Sequence, residues 1–183
     1  MAVRLRVFIT SFALMLLLGG SYIFYLVDHG NFHTITDGEA YRSAQLDRDK
    51  LEYYIRRYNI RSILNLRGKN LDSDWYREEL IVSAANRIKH YDIALTSTKE
   101  PAENDVKQLM EIFREAPRPI LIHCKAGADR SGLVAAMWKV IVDRESKSEA
   151  EKQLSIFYGH VGHVPLGGTY AMDKFFKKWQ PLN

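Results

Sequence analysis

Cysteine is all but missing from this chain, which holds one, Cys124, among 183 residues. A single thiol excludes an intramolecular disulfide and any multi-cysteine metal site, and it leaves Cys124 as either an inert core residue or a reactive nucleophile. Internal repeats and low-complexity runs are lacking too, and no stretch joins low hydrophobicity to high charge as a disordered segment would. A real excess of positive charge is also lacking. The formal net charge of +4 includes Arg4 and Arg6, which stand ahead of an apolar run; without them 24 basic residues face 22 acidic ones, a balance of +2. No long basic stripe accompanies that balance, so nucleic acid is not an expected partner.

What is present suits one globular unit. With 46% hydrophobic and 26% charged residues there is material for a buried core, and setting aside the N-terminal apolar segment leaves about 150 residues, the size of a single domain.

Residues 7–27 (VFITSFALMLLLGGSYIFYLV) run without a charge, preceded by Arg4 and Arg6 and followed by Asp28. As a helix this run is about 30 Å long, the thickness of a bilayer core. Positive charge before the run and none just after it predicts a cytoplasmic N-terminus with the rest of the chain on the far side, the periplasm if the source is bacterial. A cleaved signal peptide is the rival reading, because Gly19-Gly20-Ser21 offers small residues after a 12-residue apolar stretch. The apolar residues 22–27 favour retention. We therefore expect residues 1–27 to be a single-pass transmembrane anchor and 28–183 the globular domain.

Beyond a linker at 28–32, helical and strand-like segments alternate, the pattern of an α/β domain with a largely parallel sheet flanked by helices. Leu51, Tyr54, Ile55 and Tyr58 recur at helical spacing, and 62–66 (SILNL) then reads as a short buried strand ended by Arg67-Gly68. A helix over 73–85, a strand over 88–93 and a polar loop at 95–100 follow. Pro101 suits the first turn of the next helix, whose apolar face is Ala102, Val106, Leu109, Phe113 and Ala116. The run 119–123 (PILIH) fits a central strand, and 133–142 is a helix apolar on nearly every side. Further helices fit 148–158 and 169–179, the latter with Met172, Phe175, Phe176 and Trp179 on one face. Residues 124–132 thus join the C-terminal end of a strand to the N-terminus of a helix, where open α/β sheets place their ligands.

That loop, with the histidine before it, reads His123-Cys124-Lys125-Ala126-Gly127-Ala128-Asp129-Arg130-Ser131-Gly132. It meets every fixed position of HCxxGxxR followed by Ser or Thr, and here the chain resembles the cysteine-dependent protein tyrosine phosphatase superfamily, in particular compact bacterial dual-specificity-type phosphatases. Five residues between Cys124 and Arg130 let the intervening amides curl around one phosphate while the guanidinium donates to two of its oxygens. Gly127 permits a backbone conformation that a side chain opposes. The helix N-terminus that follows favours both a bound anion and a thiolate. The resemblance implies that Cys124 attacks phosphorus, that Lys125, Ala126, Gly127, Ala128 and Ser131 line the phosphate site, that Arg130 clamps the phosphate, and that Ser131 steadies the departing thiolate. His123 orients the loop from the strand end.

The likeness extends to Tyr41-Arg42-Ser43-Ala44-Gln45 and to Ile63-Leu64-Asn65-Leu66-Arg67, and covers residues 32–142. Arg67, at the end of its strand, is placed to reach the face of Cys124 or to form a surface salt bridge. The general acid is normally an aspartate on a separate upstream loop, but 95–100 (LTSTKE) holds none. Asp129, in the pattern CxxGxDR shared with myotubularin lipid phosphatases and some exported bacterial phosphatases, is the expected acid; Glu100 and Asp92 are the alternatives. His160 and His163 read as loop or packing histidines, and the implied chemistry needs no metal or cofactor.

The expected substrate is a phosphorylated protein, with phosphotyrosine foremost. Lys125 also matches phosphoinositide phosphatases, which keeps inositol phosphates as the alternative. A rhodanese-like sulfur transferase is disfavoured by Gly127 and by Arg130-Ser131, and a membrane-tethered, non-catalytic phosphate-binding module by the intact Cys124 and Arg130. The residues do not bear on oligomeric state.

Overall fold

A computed structural model describes residues 2–162 and 169–180. The apolar runs SILN and ILIH become two of five four-residue strands, and helices form between the strands. In chain order these are α1 (Ala2–Asp28), β1 (His33–Thr36), β2 (Ala40–Ser43), α2 (Arg48–Tyr58), β3 (Ser62–Asn65), α3 (Asp74–Ala85), β4 (Lys89–Asp92), α4 (Glu103–Glu115), β5 (Ile120–His123), α5 (Asp129–Ile141), α6 (Lys147–Ala150) and α7 (Tyr170–Lys178). The sheet order is β1-β2-β5-β3-β4. β5 lies between β2 and β3 and runs parallel to both, β4 runs parallel to β3, and β1 is antiparallel to β2.

Strand side chains alternate between two cores, as a period of two requires. Ile120 and Ile122 of β5 and Leu64 of β3 join the larger core, beneath α4, α5 and α7. Leu121 and Ile63 point the other way, into a smaller core with Leu51 and Ile55 of α2 and Val82 of α3. Because its eight residues 131–138 are all buried, α5 carries little polarity except at its N-terminus. α1 stands apart: the apolar window of this helix is not buried at all, so it is no core helix, although it is long and apolar enough to cross a membrane. A signal sequence has the same length and composition.

Several expectations need correction. The sheet is mixed, with one antiparallel pair beside four mutually parallel strands, because residues 33–43, for which no strand is expected from the sequence, form a two-stranded antiparallel unit. α4 begins two residues beyond Pro101, since the Asp105 carboxylate accepts from the Ala102 N–H at 3.0 Å and caps the helix there. α5 starts at Asp129, so the second half of the presumed loop is already helical. The helix expected over 148–158 is broken into α6 and two 3-10 turns, Glu151–Gln153 and Ile156–Tyr158. In the first of these turns the Gln153 carbonyl accepts from the Arg42 guanidinium at 2.7 Å.

One buried carboxylate ties the smaller-core face to the sheet. Glu79 of α3 accepts from His90 Nε2 of β4 at 2.8 Å, His123 Nε2 of β5 at 3.1 Å and Gln45 Nε2 at 2.9 Å. Burial pushes the Glu79 carboxyl up, but the facing His123 ring and the three hydrogen bonds outweigh it and hold the group well below the usual carboxylate range. For His90, burial pushes down while Asp92 and Glu79 push up, leaving the ring at about 9 against an ordinary 6.5. A histidine raised in this way stabilises the fold fully below its ordinary pKa and loses that contribution as pH rises through the folded value. His90→Gln is therefore expected to cost on the order of 3 kcal/mol at about pH 6. Urea midpoints measured at intervals up to about pH 10 should show the gap from the parent protein closing as His90 titrates; a gap independent of pH would separate His90 from Glu79 and Asp92.

Candidate active site

Residues 124–128 connect β5 to α5 and lie at the C-terminal ends of β2, β5 and β3. Each carbonyl from 125 to 128 is held by a donor outside the loop. Lys125 O accepts from the Gln45 N–H at 3.2 Å and Ala126 O from Asn31 Nδ2 at 2.9 Å, while Gly127 O and Ala128 O both accept from Arg42 Nη2 at 2.9 Å. A peptide unit is planar, with its N–H opposed to its C=O. Holding these four carbonyls outward therefore turns the N–H groups of Ala126, Gly127, Ala128 and Asp129 inward, an anion-binding nest at a helix N-terminus. Gly127 has φ +70°, and a Cβ there would lie 2.5 Å from Ala44 N and 2.7 Å from Ser43 C. Glycine is required both by the turn and by the closeness of β2's continuation.

Arg42 is fully buried on β2. Its Nη1 donates to Gln153 O at 2.7 Å and to Gln153 Oε1 at 3.1 Å, and its guanidinium lies 4.4 Å from the Tyr158 ring centre. Burial pushes its pKa down to about 10, against the pull of the Cys124, Tyr158 and Asp129 groups, so it stays charged at neutral pH.

Within the loop Cys124 is buried and its Sγ is 3.4 Å from Ser131 Oγ. Arg130 is anchored by Nη1, which donates to Leu66 O at 3.3 Å and Leu95 O at 3.1 Å. Its Nε and Nη2 make no hydrogen bond among the described residues, which leaves two donors of the fork for an anion. Arg67 does reach this face. Its guanidinium sits 3.5 Å over the Trp75 ring and donates to Gln45 Oε1 at 3.1 Å. Burial and the charge of nearby Arg130 both push its pKa down. His123 is buried beneath the loop and held by Glu79.

The three carboxylates considered as proton donors have different surroundings. Asp92 accepts from Asn65 Nδ2 and the Tyr76 hydroxyl, both at 2.8 Å, and despite burial these and His90 keep its pKa below the usual range. Glu100 is ion-paired with Lys178 and with Lys174, whose hydrogen bonds hold its pKa low. Asp129, one residue before Arg130, shares its Oδ1 with His160 Nδ1 at 2.7 Å, and His160 Nε2 meets Asp173 Oδ2 at 2.9 Å. Burial pushes the His160 pKa down, but the two carboxylates raise it overall. Both ring nitrogens of His160 face carboxylates, so neither is turned toward a metal site; His163 lies outside the described residues. Arg42, Asn31, Gln45, Glu79, His160 and Asp173 all escaped identification by sequence reasoning, although Arg42 and Gln45 belong to the Tyr41–Gln45 run that carries the resemblance.

A mixed sheet with a braced Cys-to-Arg loop feeding a helix N-terminus defines the class: a cysteine-dependent phosphatase of the protein tyrosine and dual-specificity type. The chain belongs to the family described as DSP-PTPase phosphatase fused to NAD+ kinase, which matches over residues 28–163. Among characterised relatives, the yeast (Saccharomyces cerevisiae) inositol diphosphatase SIW14 is 30% identical over 100 residues, 52% of this chain and 34% of that protein. The human dual specificity protein phosphatase CDC14A is 22% identical over 125 residues, 61% of this chain and 20% of its own. The aligned parts thus span about a third and a fifth of those proteins. Among solved structures, P. aeruginosa TpbA superposes with a TM-score of 0.62 at 19% identity, covering 82% of this chain and 85% of its own. The SIW14 catalytic core superposes with 0.64 at 22% identity, again covering 82% and 85%. These likenesses establish the fold.

Arg42→Lys tests the brace. A point-charge ammonium cannot hold two loop carbonyls and the Gln153 pair at once, so loss of two charged hydrogen bonds, about 3 kcal/mol, is expected. Affinity for vanadate, measured by calorimetry, should fall by roughly two orders of magnitude; unchanged affinity would show that the loop holds its shape without Arg42.

Proposed function

We propose that this protein hydrolyses phosphate monoesters through a phosphocysteine intermediate, in a domain beginning near residue 28 behind a membrane-retained α1. The observation that carries the reading is the set of four outward-held carbonyls at residues 125–128, because it leaves inward amides where a phosphate bound over Cys124 needs them. In this reading Cys124 Sγ attacks phosphorus, the amides of Ala126, Gly127, Ala128 and Asp129 hold the equatorial oxygens, and the open side of the Arg130 fork stabilises the charge spread over them. Lys125 adds positive charge at the rim. Ser131, 3.4 Å from Sγ, donates to the thiolate when water displaces it.

Asp129 is the proposed proton donor. Asp92 and Glu100 are committed to other partners, whereas Asp129 sits in the loop and is coupled to an imidazolium. His160 passes a proton to Asp129 as Asp129 protonates the leaving oxygen; in the second step Asp129 takes a proton from the attacking water and His160 is recharged. The leading substrate is a phosphotyrosine-bearing or dually phosphorylated protein. Arg67 favours a second reading, inositol phosphates, because it sets another guanidinium beside Arg130 with an amide oxygen, not a carboxylate, as its hydrogen-bond partner. With α1 retained and Arg4 and Arg6 inside, the domain faces away from the cytoplasm.

Cys124→Ser should abolish turnover of aryl phosphates while vanadate or phosphate still binds, since a serine hydroxyl stays protonated where a thiol ionises. Residual hydrolysis near the parent rate would sink the covalent mechanism. Asp129→Asn should slow phosphates with poor leaving groups by roughly 10²–10³-fold and spare those with good ones. His160→Gln should show the same leaving-group dependence more weakly. Equal losses on both substrate types would reduce Asp129 and His160 to structural roles. Comparing phosphotyrosine peptides with a panel of inositol phosphates, using the parent protein and Arg67→Ala, decides the substrate class.

A further inference from the structure

A groove of about 740 Å³ lies beside the phosphate loop, outside the site described above. One wall is the C-terminal part of α1, with Tyr22, Ile23 and Leu26. The other includes Leu46, Ile156 and Val161, and the outer face of the phosphate loop, at Lys125 and Ala126, closes the end. Its size is that of a site for an extended small ligand, roughly 300–1,000 Å³. Its walls are apolar. The charges on its lining are Asp47, Lys50 and Lys125; Lys50 pairs with Asp47 at 3.5 Å, which leaves the one positive charge of Lys125 where the groove meets the loop.

The depth of the groove follows from α1. Twenty residues span a bilayer core of about 30 Å, so a span beginning at Val7 ends near Leu26. The Tyr22 hydroxyl donates to Phe157 O at 2.6 Å, fastening the 156–161 turn to the helix about one helical turn below that end. Ile156, Phe157 and Val161 are 68%, 69% and 60% exposed, three apolar side chains left uncovered by the described residues. At this level they lie in the headgroup and acyl boundary, where apolar side chains are stabilised.

We propose that the groove is a lipid site. One hydrocarbon chain of an anionic bilayer phospholipid runs between α1 and the 156–161 turn with its phosphate toward Lys125, and Ile156 and Phe157 sit in the membrane interface. The inference rests on reading α1 as a retained span.

The full chain, reconstituted in phosphatidylcholine vesicles containing phosphatidic acid with a diazirine at the end of one acyl chain, tests this by irradiation and peptide mapping. Adducts are expected on Leu46 and on residues 156–161 as well as on α1, and excess unlabelled phosphatidic acid should compete them away, whereas glycerol phosphate should not. An Ile156→Glu, Val161→Glu double variant should still float with the vesicles, since α1 is untouched, but lose those adducts by about tenfold. Adducts confined to α1 in protein that floats would overturn the lipid site alone. Failure to float would overturn it together with the retained span. Turnover does not enter the readout, so the phosphocysteine chemistry stands or falls separately.

Discussion

The site depends on one buried cation. Placing a guanidinium at the centre of a protein costs several kcal/mol unless its charge is met, and among the described residues no carboxylate hydrogen-bonds to Arg42. Its hydrogen-bond acceptors are three backbone carbonyls and one side-chain amide oxygen, with the Tyr158 face alongside; its Nε has no partner among the described residues. The need to surround this charge with carbonyl oxygens turns the negative ends of the loop's peptide dipoles toward Arg42. Their positive ends then face the opposite way, into the pocket over Cys124. A hydrogen bond to a charged group contributes about 1.5–3 kcal/mol, so the two that Arg42 gives to Gly127 O and Ala128 O favour this conformation of the loop. The same cation holds the Gln153 carbonyl, in the first of the two short turns after α6.

Two acid-base clusters stand on either side of the loop and differ in what they are built to do. Glu79 beneath it is buried, bonded to three donors and held ionised, and it links α3 to β4 and β5 through rings that cannot move without leaving a charge unpaired. That is a clamp. His160 is likewise buried, but it is joined to a carboxylate that is itself partly exposed at the loop, with Asp173 behind it. Gly162 packs against the His160–Asp173 pair so closely that any side chain there would collide with both. The two carboxylates favour a proton on the ring, which suits the donor role proposed for Asp129.

The N-terminal helix is mechanically part of this system. Leu26 O accepts from the Asn31 N–H and Gly30 O accepts from the Ala44 N–H, while the Asn31 side chain reaches Ala126 O and Tyr158 O. A few residues therefore connect the end of an apolar helix to the backbone of the phosphate loop and to the turn that carries Phe157. The catalytic loop and the groove share a wall because both are built on that short connection.

Local information sufficed for much of this. The lone Cys124, its spacing to Arg130, Gly127 between them, and the apolar runs on either side specify a strand, a tight loop and a helix through neighbours only a few residues apart, and their chemistry is readable there. So are α2 and α3, each with one buried face, and β3, a short apolar run buried on both. What the residues alone did not disclose depends on partners far apart in the chain. Arg42 looks like a surface arginine on a short polar segment until β2 is laid beside β5, when loop carbonyls 85 and 86 residues away come within hydrogen-bonding reach. His160 is an ordinary loop histidine until folding sets it between Asp129 and Asp173, 31 and 13 residues distant. The antiparallel β1 carries too little hydrophobic pattern to announce itself and exists because β2 offers it an edge. Charge and hydrogen-bond compensation inside a protein is a property of positions in space, and a sequence records only the groups that will need it.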